Sequence, residues 1–399
     1  MPAAPSTLGR TLAILTIFLI TASLAAFPQT LNVIYNFTGG SDGRNPWGVL
    51  TSDSAANLYG ATVFGGSGAG VVFRLTPSSN GWTQTVLHAF TGGADGGGPN
   101  GGMVFDSAGN LYGTSYYGGA NSGGTVFKLS PCADGWTESV IHSFGYPDGV
   151  APYAGLAIDK QGNLYGTLSL STGGFGAVFE LSPVAGRGWS FSLLHNFDSS
   201  DGANPYSPIV LDKLGNLYGT TSGGGAAGHG TVFRLRSTST GWQETVLHSF
   251  TAGPDGGAPF GGITLSPDGQ LYGTAEIGGS LPFYGTAYSL TWSQGWHEQV
   301  IHNFGSFPGD AKNPACTFTR DAAGNLYCAT AAGGGYGGGT ILELQLTSHG
   351  NWRAVILYDF TGSGQSAPTG DVLLDKAGNF FGVAGGGALN AGIVYELTR

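Results

Sequence analysis

Three features of the 399-residue chain predict an all-β fold, a seven-bladed β-propeller with four antiparallel strands per blade, closed by its N-terminal strand. The first is a motif, Asn110-Leu111-Tyr112-Gly113, whose copies begin at positions 57, 110, 163, 216, 270, 325 and 379, in steps of 53 to 55 residues. A fixed period of that length marks a propeller, solenoid or array. The second is the content of each repeat, which holds four short strand-like runs and no segment of helical period. The third is a mismatch at the ends. Residues 31–37 read as a fourth strand without a blade, and the last repeat stops at a third strand, Ile393-Val394-Tyr395-Glu396-Leu397. A ring in which the first strand completes the last blade resolves both, whereas an open rod would expose two edges.

The second repeat shows the elements in order. Gly102-Met103-Val104-Phe105-Asp106 is a short apolar run, Ser107-Ala108-Gly109 a turn, and residues 110–115 the returning strand. An aspartate stands four residues before the Asn/Gln position in six copies (Asp53, Asp106, Asp159, Asp212, Asp321 and Asp375), and six copies have glycine just before it. That suits an Asx-capped turn with a left-handed glycine better than a calcium loop. A glycine-rich loop leads to Thr125-Val126-Phe127-Lys128-Leu129, which alternates as a half-buried strand does, and a further turn leads to the fourth strand, residues 136–144. That strand opens on tryptophan in Trp82, Trp136, Trp189, Trp242, Trp296 and Trp352, read as blade packing.

The pattern Asp-x-x-Gly-Asn-Leu-Tyr-Gly-Thr, followed by Gly-Gly and Gly-Thr-Val-Phe-x-Leu, resembles the Gloeo/Verruco (GloVer) tandem repeat of secreted bacterial proteins. The resemblance spans nearly all of the chain beyond its leader and implies an exported propeller, often with an anchoring tail. This chain departs in ending inside the seventh repeat without such a tail. The resemblance brings no reaction and no catalytic residues. A looser likeness to NHL-type propellers rests on the Asp-x-x-Gly-Asn-Leu-Tyr turn alone.

Compartment follows from the first thirty residues. Arg10 is their only charge, residues 11–27 are almost wholly apolar, and Ser23-Leu24-Ala25 offers a cleavable end. Residues 1–25 are therefore expected to be a secretory signal peptide and residues 31–399 the propeller, with localisation secreted or periplasmic; an uncleaved anchor is the competing reading. The net charge of −10 argues against nucleic acid or an anionic membrane as partner. A monomer is expected. Three cysteines are too few for a disulfide scaffold. Cys316 and Cys328 flank one hairpin, where a diagonal of roughly 7 Å in a regular ladder is long for a bridge, so their state is left open.

Chemistry is sparse. The chain lacks a Gly-x-Ser-x-Gly elbow, a His-Glu-x-x-His pair and a phosphate loop, and no metal or cofactor is expected. His88, His142, His195, His248 and His302 share one repeat position with Tyr35 and Tyr358, and copies spread round a rim cannot converge on one ion, which favours packing. One set remains. Asp42, Asp95, Asp148, Asp201, Asp255 and Asp310 stand between the fourth strand of one blade and the first of the next, each followed by a proline; after that proline come Trp47, Tyr153, Tyr206 and Phe260. These connections return toward the axis, and loops carrying Phe64, Tyr116, Tyr117, Phe175, Tyr284 and Tyr336 open on the same face. Aromatic platforms beside acceptor carboxylates suit a neutral, hydroxyl-rich ligand such as a glycan. The competing reading makes the aspartates turn formers and the rings wedges between blades.

The expected function is an exported, non-catalytic binding module whose partner is a carbohydrate or a cell-envelope protein. The alternatives are an extracellular lyase or hydrolase acting on polysaccharide and a cell-envelope scaffold that binds another protein.

Overall fold

The computed structural model describes residues 29–281, 283–362, 364–369 and 371–399; the leader assigned to residues 1–25 lies outside them. Seven antiparallel blades follow one another round a ring, six built from one repeat each and the seventh from the last repeat and the N-terminal strand, with a small pair, Ala311–Lys312 and Ala332–Gly333, beside blade six. In blade one the strands are Arg44–Ser52, Leu58–Phe64, Val71–Ser78 and Gly81–Ala89, paired in that order. The ring closes as expected. Thr30–Asn36 pairs antiparallel with Ile393–Thr398, from Thr30 opposite Thr398 to Asn36 opposite Ile393.

Glycine in the Tyr-Gly motif has a packing reason. A Cβ on Gly113 would stand 2.6 Å from the ring of Phe127 on the neighbouring strand, and the same holds for Gly219 against Phe233. Such an approach is impossible for a real side chain, so the aromatic on the third strand dictates glycine on the second. Blade six supplies the converse. There the opposing residue is the smaller Leu342, and Cys328 sits directly across from it.

Two rows of rings join the blades. In six blades the phenylalanine after the outer strand meets the third-strand aromatic of the next blade: Phe37 lies 5.1 Å from Phe73, Phe144 5.0 Å from Phe179, Phe250 5.0 Å from Tyr288, while Phe304 packs in the cluster of Leu342. The tryptophan at the other end of the outer strand meets the motif tyrosine of the preceding blade, as in Tyr59 with Trp136 and Tyr165 with Trp242. Burial of a ring is worth about 1.5–3 kcal/mol, and these contacts recur from blade to blade round the ring.

The turn chemistry recurs in six blades, with Ser266 and Gln270 taking its place in the fifth. Asp53 accepts the backbone N–H groups of Ala55 and Asn57 on one oxygen and the Asn57 amide and Tyr59 hydroxyl on the other, at 2.7 to 2.9 Å. Burial alone would raise its pKa, but these donors outweigh burial and hold the carboxylate below its ordinary range. The donors also settle the motif's logic, since Asp, Asn and Tyr are one hydrogen-bonded unit.

Cys316 and Cys328 are bridged, with Cα atoms 5.9 Å apart. The diagonal-ladder objection fails because Cys316 lies upstream of the strand Thr319–Arg320 and is not bound to ladder spacing. Among the described residues, no helix is long and apolar enough to cross a membrane.

Candidate functional site

The innermost strand of a blade is where the site is made. In blade two it is split into Gly97–Pro99 and Val104–Phe105, and in blade one the ladder of Arg44–Ser52 slips between Trp47 and Thr51. Proline has no N–H to offer a ladder. The ladder breaks soon after it, and the residues that follow reach the axis.

Two positions per blade meet there. The residue after the proline is Trp47, Asn100, Tyr153, Tyr206, Phe260, Ala315 and Thr369 in turn. Two residues later the ring runs Val49, Gly102, Gly155, Pro208, Gly262, Thr317 and Asp371. All fourteen line one cavity of about 410 Å³ on the axis, joined by Glu276 and Asn313 from loops beside it. That volume lies within the range of small-molecule sites.

The four aromatic residues expected at a site are brought together on this cavity. Tyr153 and Tyr206 stand 5.4 Å apart at 74°, Tyr206 and Phe260 5.6 Å apart and nearly stacked, and Tyr116 joins the arc 6.0 Å from Tyr153. Trp47 stands across the gap left by Asn100 and is 39% exposed, with Phe260 36% exposed, so both keep ring face for a ligand. Burial raises the Tyr153 pKa, with Tyr116 and Tyr206 adding to it, so its phenol stays a neutral donor. The remaining loop rings are scattered: Arg44 lies over Phe64 and Lys312 over Tyr284, while Tyr336 is 70% exposed.

The six aspartates are placed elsewhere, and the geometry expected for them is corrected. None of Asp42, Asp95, Asp148, Asp201, Asp255 and Asp310 lines the cavity. Each instead bonds to the histidine or tyrosine of its own outer strand. His142 Nε2 is 2.9 Å from Asp148, His195 Nε2 2.8 Å from Asp201, and Tyr35 donates to Asp42 at 3.0 Å. His88–Asp95, His248–Asp255 and His302–Asp310 follow at 3.3, 3.3 and 3.1 Å. Burial holds His88 and His248 below the ordinary imidazole value although the aspartate pulls the other way, so both imidazoles are neutral at pH 7. In the seventh repeat glutamine replaces the aspartate, and Tyr358 donates to Gln365 at 3.2 Å. The carboxylates serve as latches that hold the connection to the strand it leaves. The offset from histidine to aspartate varies between six and eight residues along the chain, so spacing alone did not mark the pairing.

Asp371 and Glu276 were not among the expected site residues. Asp371 Oδ1 accepts the Thr317 backbone N–H at 2.6 Å. The carboxyl keeps a half-buried edge toward the cavity but is packed round by protein, and burial pushes its pKa up to about 6 against that hydrogen bond. Burial also raises Glu276. The signal for Asp371 was a broken repeat, because the other six blades carry no charge at its position. Among the described residues, no cluster of three or more His, Cys, Asp or Glu side chains could hold a metal ion.

The family model described as the Gloeobacter/Verrucomicrobia repeat matches in three overlapping stretches, residues 16–211, 134–310 and 210–399. No curated protein matches the chain. Among solved structures, a protein assigned as an oxidoreductase (glucose dehydrogenase) from Thermus thermophilus is 15% identical, with 93% of this chain and 100% of that one covered at a TM-score of 0.44. A luciferin-regenerating enzyme is 15% identical, with 75% and 91% covered at 0.44. An auxiliary nutrient binding protein from Bacteroides ovatus is 12% identical, with 74% and 68% covered at 0.46. All three similarities are remote.

Proposed function

The chain belongs to the Gloeobacter/Verrucomicrobia repeat family, and from that premise we propose that it is an exported, non-catalytic binding module that takes a carbohydrate at its axis. The observation that carries the reading is the arc Tyr153–Tyr206–Phe260 with Trp47 opposite, set over one cavity. Sugar rings present apolar faces that stack on aromatic rings, and their hydroxyls find acceptors and donors in Asn100, Asn313, Thr369 and the tyrosines. Because aromatics follow the proline in blades one, three, four and five only, a bound chain lies to one side of the axis. The apolar leader in the sequence supports export.

A glycan array probed with the chain lacking its leader tests this. Binding should be lost in Trp47→Ala with Tyr206→Ala while the melting temperature moves by no more than a few degrees. Affinity that survives both changes, or a ring that unfolds on making them, would show the rings to be blade wedges.

Asp371 supports a second reading, a hydrolase or lyase, since an acid held near pH 6 inside a cavity is a fit proton donor or acceptor. Turnover of a bound polysaccharide, abolished in Asp371→Asn, would establish that reading over the first.

A further inference from the structure

The cavity has an electrostatic character that a neutral sugar does not use. Its lining includes two carboxylates, Glu276 and Asp371, and no lysine, arginine or histidine. Lys312 stands next in sequence to the lining residue Asn313, but its ammonium rests over the Tyr284 ring at 4.4 Å. Asp371 is held by one residue, Thr317, whose backbone N–H reaches Oδ1, and among the described residues no cation pairs with it. The six aspartates at the rim differ from it, each being committed to its histidine or tyrosine, with turn N–H groups added at Asp42, Asp95, Asp201, Asp255 and Asp310. The repeat itself does not call for a carboxylate at position 371, where the other blades place Val, Gly, Gly, Pro, Gly and Thr.

A carboxylate surrounded by protein without a counter-charge is costly, and one mobile cation of the right shape offsets that cost. On another arc of the same cavity stand the faces of Tyr206, Phe260 and Trp47, and aromatic faces attract cations as well as sugar rings. We propose that the ligand is an amino sugar with a free amine, its pyranose ring on the aromatic arc and its ammonium between Asp371 and Glu276. The proposal rests on the carbohydrate reading and narrows it to glycans whose amino groups are not acylated.

The sign with pH follows from the groups that face the cavity. Below about pH 6 Asp371 takes up a proton and the counter-charge is lost; Glu276, also raised by burial, changes in the same direction. Above the pKa of the sugar amine, near the roughly 8 of an α-amino group, the ligand loses its charge instead. Affinity should therefore peak between the two.

The test is calorimetric titration of the chain lacking its leader with glucosamine oligomers and, separately, with N-acetylglucosamine oligomers of the same length. At pH 7 the free amine should bind about tenfold tighter or more, and the preference should fall away at pH 5. Asp371→Asn keeps an oxygen for the Thr317 N–H and should erase the preference for the free amine over the acetylated oligomer. Glu276→Gln should reduce the preference as well, and it supplies the same readout if the first variant does not fold. Equal or tighter binding of the acetylated oligomer overturns the amino-sugar assignment and leaves the carbohydrate reading standing. Failure of both ligands to bind overturns both. A preference that persists unchanged in the variants assigns it to general attraction by the acidic surface and also overturns the proposal.

Discussion

The rim and the axis of this propeller use the same residue type to opposite ends. At the rim an aspartate follows the outer strand in six connections, each time on a histidine or tyrosine of that strand. At the axis a single aspartate occupies one of seven equivalent positions and has no cationic partner among the described residues. Rim copies are far apart, and each solves the same local problem of tying a connection down, so the solution repeats. Axial copies are neighbours, so one departure alters a site shared by all seven blades. Repetition in the sequence therefore points to structure, and a break at an axial position marks where a site can differ from the repeat.

The largest effect expected is on the ring itself. Deleting Thr30–Asn36 removes the ladder to Ile393–Thr398 and the burial of Ile34 and Tyr35 in the cluster between blades seven and one. The loss should be several kcal/mol, a large part of the roughly 5–15 kcal/mol that holds a domain folded. A deletion variant that melts with the full chain would remove the closure and the premise that axial positions are neighbours.

The contrast between the two kinds of aspartate comes next. Asp310 is fully buried and accepts from His302, from Ser306 N–H at 3.0 Å and from Ala311 N–H at 2.8 Å. Asp310→Ala leaves several buried donors without acceptors and should lower stability by about 2–4 kcal/mol. Asp371→Asn should leave stability at pH 7 unchanged or raise it, because it removes an unpaired charge. The sign is fixed by its folded pKa of about 6 against the ordinary 3.8: folding holds a proton between those values, so stability falls as pH rises through that window and the penalty is complete above it. Denaturant melts of both variants at pH 7 decide the matter. If Asp371→Asn proves the more damaging, the axial aspartate is structural and the comparison collapses.

Much of this was legible in the sequence. The period, the four runs per repeat and the unmatched ends dictated the ring, because each is a covalent fact about order along the chain. The turn aspartates and the aromatic set at 47, 153, 206 and 260 were legible for the same reason. The pairing of His142 with Asp148 was not, since reading it requires knowing that a strand's last residues turn their side chains back over the connection. Asp371 was hidden by its neighbours: Val372-Leu373-Leu374 reads as strand interior, yet only Leu373–Leu374 is strand, and the blade's packing sets which residue before it meets the axis. The cysteine bridge was not legible either, because spacing alone does not show that Cys316 precedes the ladder and escapes its geometry.

The smallest effect belongs to the rim and sharpens the comparison, because there the repeat carries charge it can do without. Two residues after the outer-strand tryptophan stand Gln84, Glu138, Phe191, Glu244, Glu298 and Ala354. Gln84 donates from Nε2 to the carbonyl of Asp42 at 3.2 Å. The three glutamates leave Oε1 buried and without a partner, and burial first, then Asp95, Asp201 and Asp255 respectively, pushes their pKa up to about 7. A protonated carboxyl can donate as Gln84 does, whereas an ionised one faces the aspartate as a like charge. Folding thus holds these protons between the ordinary 4.5 and 7, so the stability of the wild type falls as pH rises through that interval. Replacing Glu138, Glu244 and Glu298 by Gln should raise stability at pH 8 by no more than about 1 kcal/mol each after solvent screening, and by nothing at pH 4. Blades three and six, with Phe191 and Ala354, show that the position tolerates a neutral residue. Melting curves of the triple variant and wild type should coincide in acid and part as pH passes 7. A gap of the same size at both ends of the range would mean that the amide improves packing, and that ionisation at the rim contributes nothing.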